Sequence, residues 1–162
     1  MAHAPQEGQR KVLIGIDGSE AAENAFNWYL NNLKQPNDYV YGITVPEYNF
    51  AGVTVISMVG PLADPQALQD DFITQHKVVE KLCSDFTAKL RQAGVKGQAD
   101  EQSGDKPGPT LVEMAEKLGV DCVIMGTRGL SKLKKLLMGS VSSYVVQHCN
   151  VPVSVIPLKK KD

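Results

Sequence analysis

The chain has 162 residues, 43% of them hydrophobic and 22% charged, with a formal net charge of −1. That length suits one domain with a filled core, and the composition is that of an ordinary globular protein. The near-neutral balance excludes a global basic field for nucleic acid, and no apolar run approaches the ~20 residues of a membrane span.

The three cysteines, Cys83, Cys122 and Cys149, are odd in number and have no CxxC spacing. Neither a disulfide framework nor a zinc site is indicated, and a reducing, cytoplasmic location is the expectation. The stretch Met1 to Lys11 is polar and lacks the apolar core of a secretory signal. Residues 1–10 read as a flexible tail, 11–158 as one domain and 159–162 as a charged, solvated tail.

Taken in chain order, Lys11 to Ile16 reads as the first strand and Asp17-Gly18-Ser19 as a turn, with Ser19 placed to cap a helix. Ala22, Phe26, Tyr29, Leu30 and Leu33 recur at helical spacing. Tyr39 to Val45 is β-rich and reads as the second strand. Pro46 to Gln66, about twenty residues, is longer than an ordinary connection and too apolar for a disordered linker. It reads as a lid or arm, with room for a short strand at Val53 to Met58.

The longest helical pattern runs from Ala67 to Ala93, through Leu68, Phe72, Ile73, Val79, Leu82, Phe86 and Leu90, and Gly94 stops it. Val95 to Glu101 is a polar strand suited to a sheet edge. Ser103 to Pro109 reads as a loop, and a helix starting at Pro109 or Thr110 runs to Leu118 before Gly119. Val123, Ile124 and Met125 form the short apolar run of a strand buried on both faces. A last helix at Val141 to Cys149 and a last strand at Val151 to Pro157 complete an alternating β-α pattern. Such alternation predicts an α/β fold, a parallel sheet with helices on both faces.

The densest signal lies where the fourth strand ends. Gly126 and Gly129 allow a sharp turn and a close ligand approach. Nine residues later, Gly139-Ser140-Val141-Ser142 opens a helix with N–H groups and two hydroxyls, a natural phosphate site. An ordinary strand-to-helix turn and a plain helix cap are the structural alternatives.

The spacing Gly126-x2-Gly129-x9-Gly139-Ser140 resembles the nucleotide-binding signature of the ATP-binding universal stress proteins. The opening Val12-Leu13-Ile14-Gly15-Ile16-Asp17-Gly18-Ser19 and the closing Asn150-Val151-Pro152-Val153 resemble the same family, so the likeness spans Lys11 to Pro157. It implies one doubly wound, Rossmann-like domain with a five-stranded sheet in the order 3-2-1-4-5. Ligands of such sheets sit outside the carboxyl ends of the strands where the order reverses, here between strands 1 and 4. Asp17 and Gly126 end those two strands.

The resemblance assigns roles residue by residue. Gly15 and Ile16 match positions lining the base, and Val45 matches the position that meets adenine through its main chain. Met125 matches a ligand-lining position, or is a core methionine. Gly126, Gly129, Gly139, Ser140, Val141 and Ser142 would hold ribose and phosphates. Arg128 reaches phosphate or is simply exposed. Asp17 accepts from a ribose hydroxyl, or indirectly holds Mg2+ or Mn2+ on the phosphates, or is a turn residue. Lys132, Lys134 and Lys135 add attraction for a polyanion, or face solvent. The implied ligand is ATP, or AMP or ADP. The implied assembly is a homodimer through the edge strand Val151 to Pro157, and the implied role is regulatory, in the response to stress.

Dedicated catalysis has little support in the residues. There is no GxxxxGK[ST] loop, and His3, His76 and His148 lie in no motif beside a nucleophile. Slow ATP hydrolysis, an adenine-nucleotide hydrolase or transferase of the related class, and a dimeric scaffold without ligand stay open as alternatives. A flavodoxin-like carrier would need a phosphate loop after strand 1, where Asp17 stands instead.

Overall fold

The computed structural model describes residues 4–47, 65–127 and 138–158. Five strands alternate with four helices: β1 Arg10–Gly15, α1 Glu20–Asn32, β2 Asp38–Thr44, α2 Pro65–Gln92, β3 Lys96–Glu101, α3 Pro107–Leu118, β4 Cys122–Gly126, α4 Ser140–His148 and β5 Val153–Ile156. All neighbours pair in parallel, in the order β3-β2-β1-β4-β5. The order therefore reverses between β1 and β4, as expected. The strand proposed at Val53 to Met58 lies outside the described residues.

Burial explains the strand sequences. Val12, Leu13 and Ile14 of β1 and Val123 and Ile124 of β4 are essentially inaccessible, because helices cover both sheet faces. On one face, Ala25, Phe26 and Tyr29 of α1 join Phe86 and Leu90 of α2 against Val12, Ile14 and Ile124. On the other, Leu111, Met114 and Ala115 of α3 and Val145 of α4 cover Leu13, Tyr41 and Val123. The charged β3 and the short β5 take the two edges, where one side needs no partner. Among the described residues, no helix is long and apolar enough to cross a membrane.

The helix ends follow local chemistry. Ser19 caps α1, its hydroxyl accepting from the Ala22 N–H at 3.2 Å. Gly119 ends α3 in the left-handed region at φ +59°, and its N–H bonds back to the carbonyls of Ala115 and Glu116.

Two expectations need correction. Helix α3 starts at Pro107, not at Pro109 or Thr110. Prolines are tolerated throughout a first turn, where no N–H has an intrahelical partner, so Pro109 sits inside the helix instead of before it. Phe72 and Ile73, read as part of an apolar stripe, are 44% and 41% exposed. Helix α2 spans 28 residues, about 42 Å, against about 20 Å for a strand. Among its described residues, Leu82, Phe86 and Leu90, all in its second half, reach the core.

A polar network locks the amino-terminal end of the sheet. The Arg10 guanidinium donates to both Asp38 oxygens at 2.7 Å and to the Leu33 carbonyl at 2.7 Å. Tyr29 donates its hydroxyl to Asp38 at 2.7 Å, and the Gln35 N–H adds a bond of 2.8 Å. Burial pushes the Asp38 carboxyl up. The bonds from Arg10, Gln35 and Tyr29, with the guanidinium charge, outweigh it and leave the group below the usual carboxylate range. Burial and the bond to Asp38 push the Tyr29 phenol well above its ordinary value.

A cleft at the carboxyl ends of β1 and β4

Where the sheet order reverses, the chain leaves a cleft of about 660 Å³, open to solvent. It falls at the crevice that open α/β sheets form at such a switch point. Gly15, Ile16 and Asp17 enter it from the end of β1 and the following turn, and Val45 from just past β2. Met125 and Gly126 come from the end of β4, and Gly139, Ser140, Val141 and Ser142 from the start of α4. Residues that are up to 127 positions apart thus meet in one place, because parallel strands all end on the same side. Arg128, Gly129, Lys132, Lys134 and Lys135 lie outside the described residues.

The cleft lining has two characters. Ile16, Ile43, Val45, Leu111, Pro107 and Met125 contribute apolar side chains. The start of α4 contributes main-chain donors. Its N-cap, Gly139, has no side chain to satisfy the first-turn donors. The first bond within the helix runs from the Ser143 N–H to the Gly139 carbonyl at 2.9 Å. The N–H groups of Ser140, Val141 and Ser142 precede it and carry the positive end of the helix dipole.

The side chains refine this picture. The Ser142 hydroxyl is buried and donates to the Gly139 carbonyl at 3.0 Å. Its single donor points inward, so an anion would meet the Ser142 N–H instead of the hydroxyl. Ser140 is exposed at the mouth. Asp17 accepts from the Ser19 N–H at 2.9 Å, which fixes the turn after β1. Among the described residues, no group of three or more His, Cys, Asp or Glu side chains could hold a metal ion. A divalent cation here would need ligand oxygens beside Asp17.

Ser19, Ala21, Ala22, Ile43, Pro107 and Leu111 also line the cleft and were not assigned to a site from the sequence, Ser19 being read as a helix cap. Alanines and aliphatic residues carry no chemical signature. Pro107 had one, as a first-turn proline, and it was read as loop. The thiols take no part. Cys122 is half-buried in β4, and burial raises it, as burial pushes the Cys83 thiol up to about 11.

A sequence model of the Universal stress protein family matches residues 9–157. The chain belongs to the universal stress protein family. It is 27% identical over 154 residues to universal stress protein MJ0531 of Methanocaldococcus jannaschii, covering 94% of this chain and 85% of that one. A universal stress protein family protein from Arabidopsis thaliana, crystallised with AMP bound, superposes with a TM-score of 0.67 at 22% identity, over 93% of this chain and 92% of that one. A universal stress protein in complex with cAMP superposes at 0.63 with 20% identity, over 91% and 96%. At these identities the two superpositions establish that this universal stress protein shares their fold.

Proposed function

We propose that this universal stress protein binds an adenine nucleotide in the switch-point cleft, with a regulatory role in the stress response. The observation that carries the reading is the convergence of Gly15–Asp17, Val45, Met125–Gly126 and Gly139–Ser142 on one cleft with apolar lining and a helix start without a side-chain cap. AMP and cAMP in its structural relatives support the same ligand class.

Each part of the lining has its task. The flat base is desolvated between Val45, Leu111 and Met125, where main-chain atoms alone can read its edge. The phosphates meet the N–H groups of Ser140, Val141 and Ser142, whose partial positive charge needs no reorganisation to receive them. Asp17 accepts from ribose, or shares a Mg2+ or Mn2+ ion with the phosphate oxygens, in line with a single carboxylate at this point. Family likeness adds Arg128 and Gly129 as further candidates for phosphate. Among the described residues of the lining the titratable side chain is Asp17, and the function assigned is binding.

The same reading includes a homodimer through β5. The Thr87 hydroxyl accepts the Ala99 N–H at 3.1 Å, and β3 carries Lys96, Asp100 and Glu101, so that edge is guarded. The β5 edge carries only Val153, Ser154, Val155 and Ile156. Calorimetric titration with ATP and Mg2+ tests the nucleotide reading. Saturable binding at micromolar concentration supports it, and the absence of binding sinks it.

A further inference from the structure

Helices α3 and α4 cover the same face of the sheet, and each carries part of the cleft lining. Pro107 and Leu111 come from α3, and Ser140, Val141 and Ser142 from α4. The two helices meet at Gly108 and Tyr144. A Cβ on Gly108 would lie 3.0 Å from the Cβ and Cδ1 of Tyr144 and 3.1 Å from its Cγ. Gly108 is buried, and its φ is not positive. Its backbone is one that any residue adopts, so packing, not conformation, is what calls for glycine here. The contact stands one residue past Pro107 and two residues past Ser142, yet neither Gly108 nor Tyr144 lines the cleft.

The Tyr144 ring is itself held. It stacks on the His148 imidazole, with centroids 3.9 Å apart and planes 14° from parallel. His148 Nδ1 donates to the Tyr144 carbonyl at 2.8 Å. A ring fixed from its own helix gives α3 a firm surface to pack on. Close-packed interiors transmit a displacement at such a contact instead of absorbing it.

We propose that Tyr144 is a positioning residue: through Gly108 it fixes α3 relative to α4, and so fixes how far the base site lies from the phosphate site. The inference rests on the nucleotide reading above, in which Leu111 of α3 meets the base and the N–H groups of Ser140, Val141 and Ser142 of α4 meet phosphate. A mononucleotide has a set distance between base and phosphate. With the two helices locked together, one such distance fits. The site thus selects AMP over its 3′ isomer, whose phosphate hangs from another ribose carbon. Gly108 and Tyr144 act on ligand choice without touching the ligand.

The test titrates AMP and 3′-AMP by calorimetry, directly and in competition, into the full chain and its Gly108→Ala variant. The added methyl must displace Tyr144 or part the helices, whereas alanine favours the helix itself. The Kd for AMP is expected to rise about tenfold and that for 3′-AMP by less than about threefold, so the preference for AMP shrinks. Arg10→Met, at the far end of the sheet, is the control for lost stability and should keep both Kd values. Circular dichroism monitors the helices, and if Gly108→Ala loses helical signal, Tyr144→Ala opens the same contact and is read by the same ratio. No preference in the unsubstituted protein, an unchanged preference in the variant, or equal losses for the two isomers overturns the positioning role and leaves the nucleotide reading standing. Absence of AMP binding by the unsubstituted protein overturns the nucleotide reading, and this inference with it.

Discussion

A Cβ on Gly126 would collide with the carbonyl oxygen of Ala21, so the end of β4 and the first turn of α1 meet backbone to backbone. Both residues line the cleft. The glycine that opens the signature therefore sets the cleft's shape by letting α1 close onto the sheet, whatever it also contributes to a ligand.

Gly126→Ala is expected to destabilise the fold by about 2 kcal/mol, because neither backbone can move away cheaply. Thermal unfolding should show the midpoint falling by several degrees. An unchanged midpoint with altered ligand affinity would assign the glycine to the ligand alone.

Arg10 and Asp38 lie at the other end of the sheet from the cleft. Arg10→Met leaves the Asp38 carboxylate, whose side chain is 1% exposed, without its guanidinium partner. A loss of about 3 kcal/mol follows for an orphaned buried charge. Urea unfolding measures it, and nucleotide affinity at temperatures where the variant is folded should not change.

The same network dictates an acid limit. The folded Asp38 carboxyl is held below its ordinary value, near 3.9 in an unfolded chain. Its contribution is complete above that value and is lost as pH falls through the lower, folded one. Stability measured from pH 7 down to pH 3 should therefore drop more steeply in the unsubstituted protein than in Asp38→Asn. Parallel curves would contradict the account.

The strands were legible because Val12 to Ile14 and Val123 to Met125 are apolar without alternation, as doubly covered parallel strands are, and their order was legible through family likeness. The cleft residues were legible where backbone chemistry marks them, as at Gly139-Ser140, and through family likeness at Val45 and Met125. Ala21, Ala22 and Leu111 were not, since what places them is the tertiary approach of α1 and α3. Helix α3 was begun late because Pro107 was read as part of a loop and the start placed at Pro109 or Thr110, although one first turn accommodates both prolines. The exposure of Phe72 and Ile73 follows from the length of α2 relative to the sheet, which periodicity alone does not encode.

The open β5 edge predicts a dimer at micromolar concentration. Ser154→Lys places a charge in the middle of that edge and should yield a monomer in sedimentation velocity. A monomeric unsubstituted protein, or a variant that stays dimeric, would remove β5 as the contact.

If the uncapped start of α4 receives the phosphates, Ser140→Asp repels them. Ser140 is exposed, and an acidic residue in a helix's first turn is favourable to the fold while repelling an anion. Titration with ATP and Mg2+ should show affinity reduced by at least about tenfold, with the thermal midpoint of the unliganded protein unchanged or slightly raised. Equal affinity for both proteins would place the phosphates elsewhere and contradict the account.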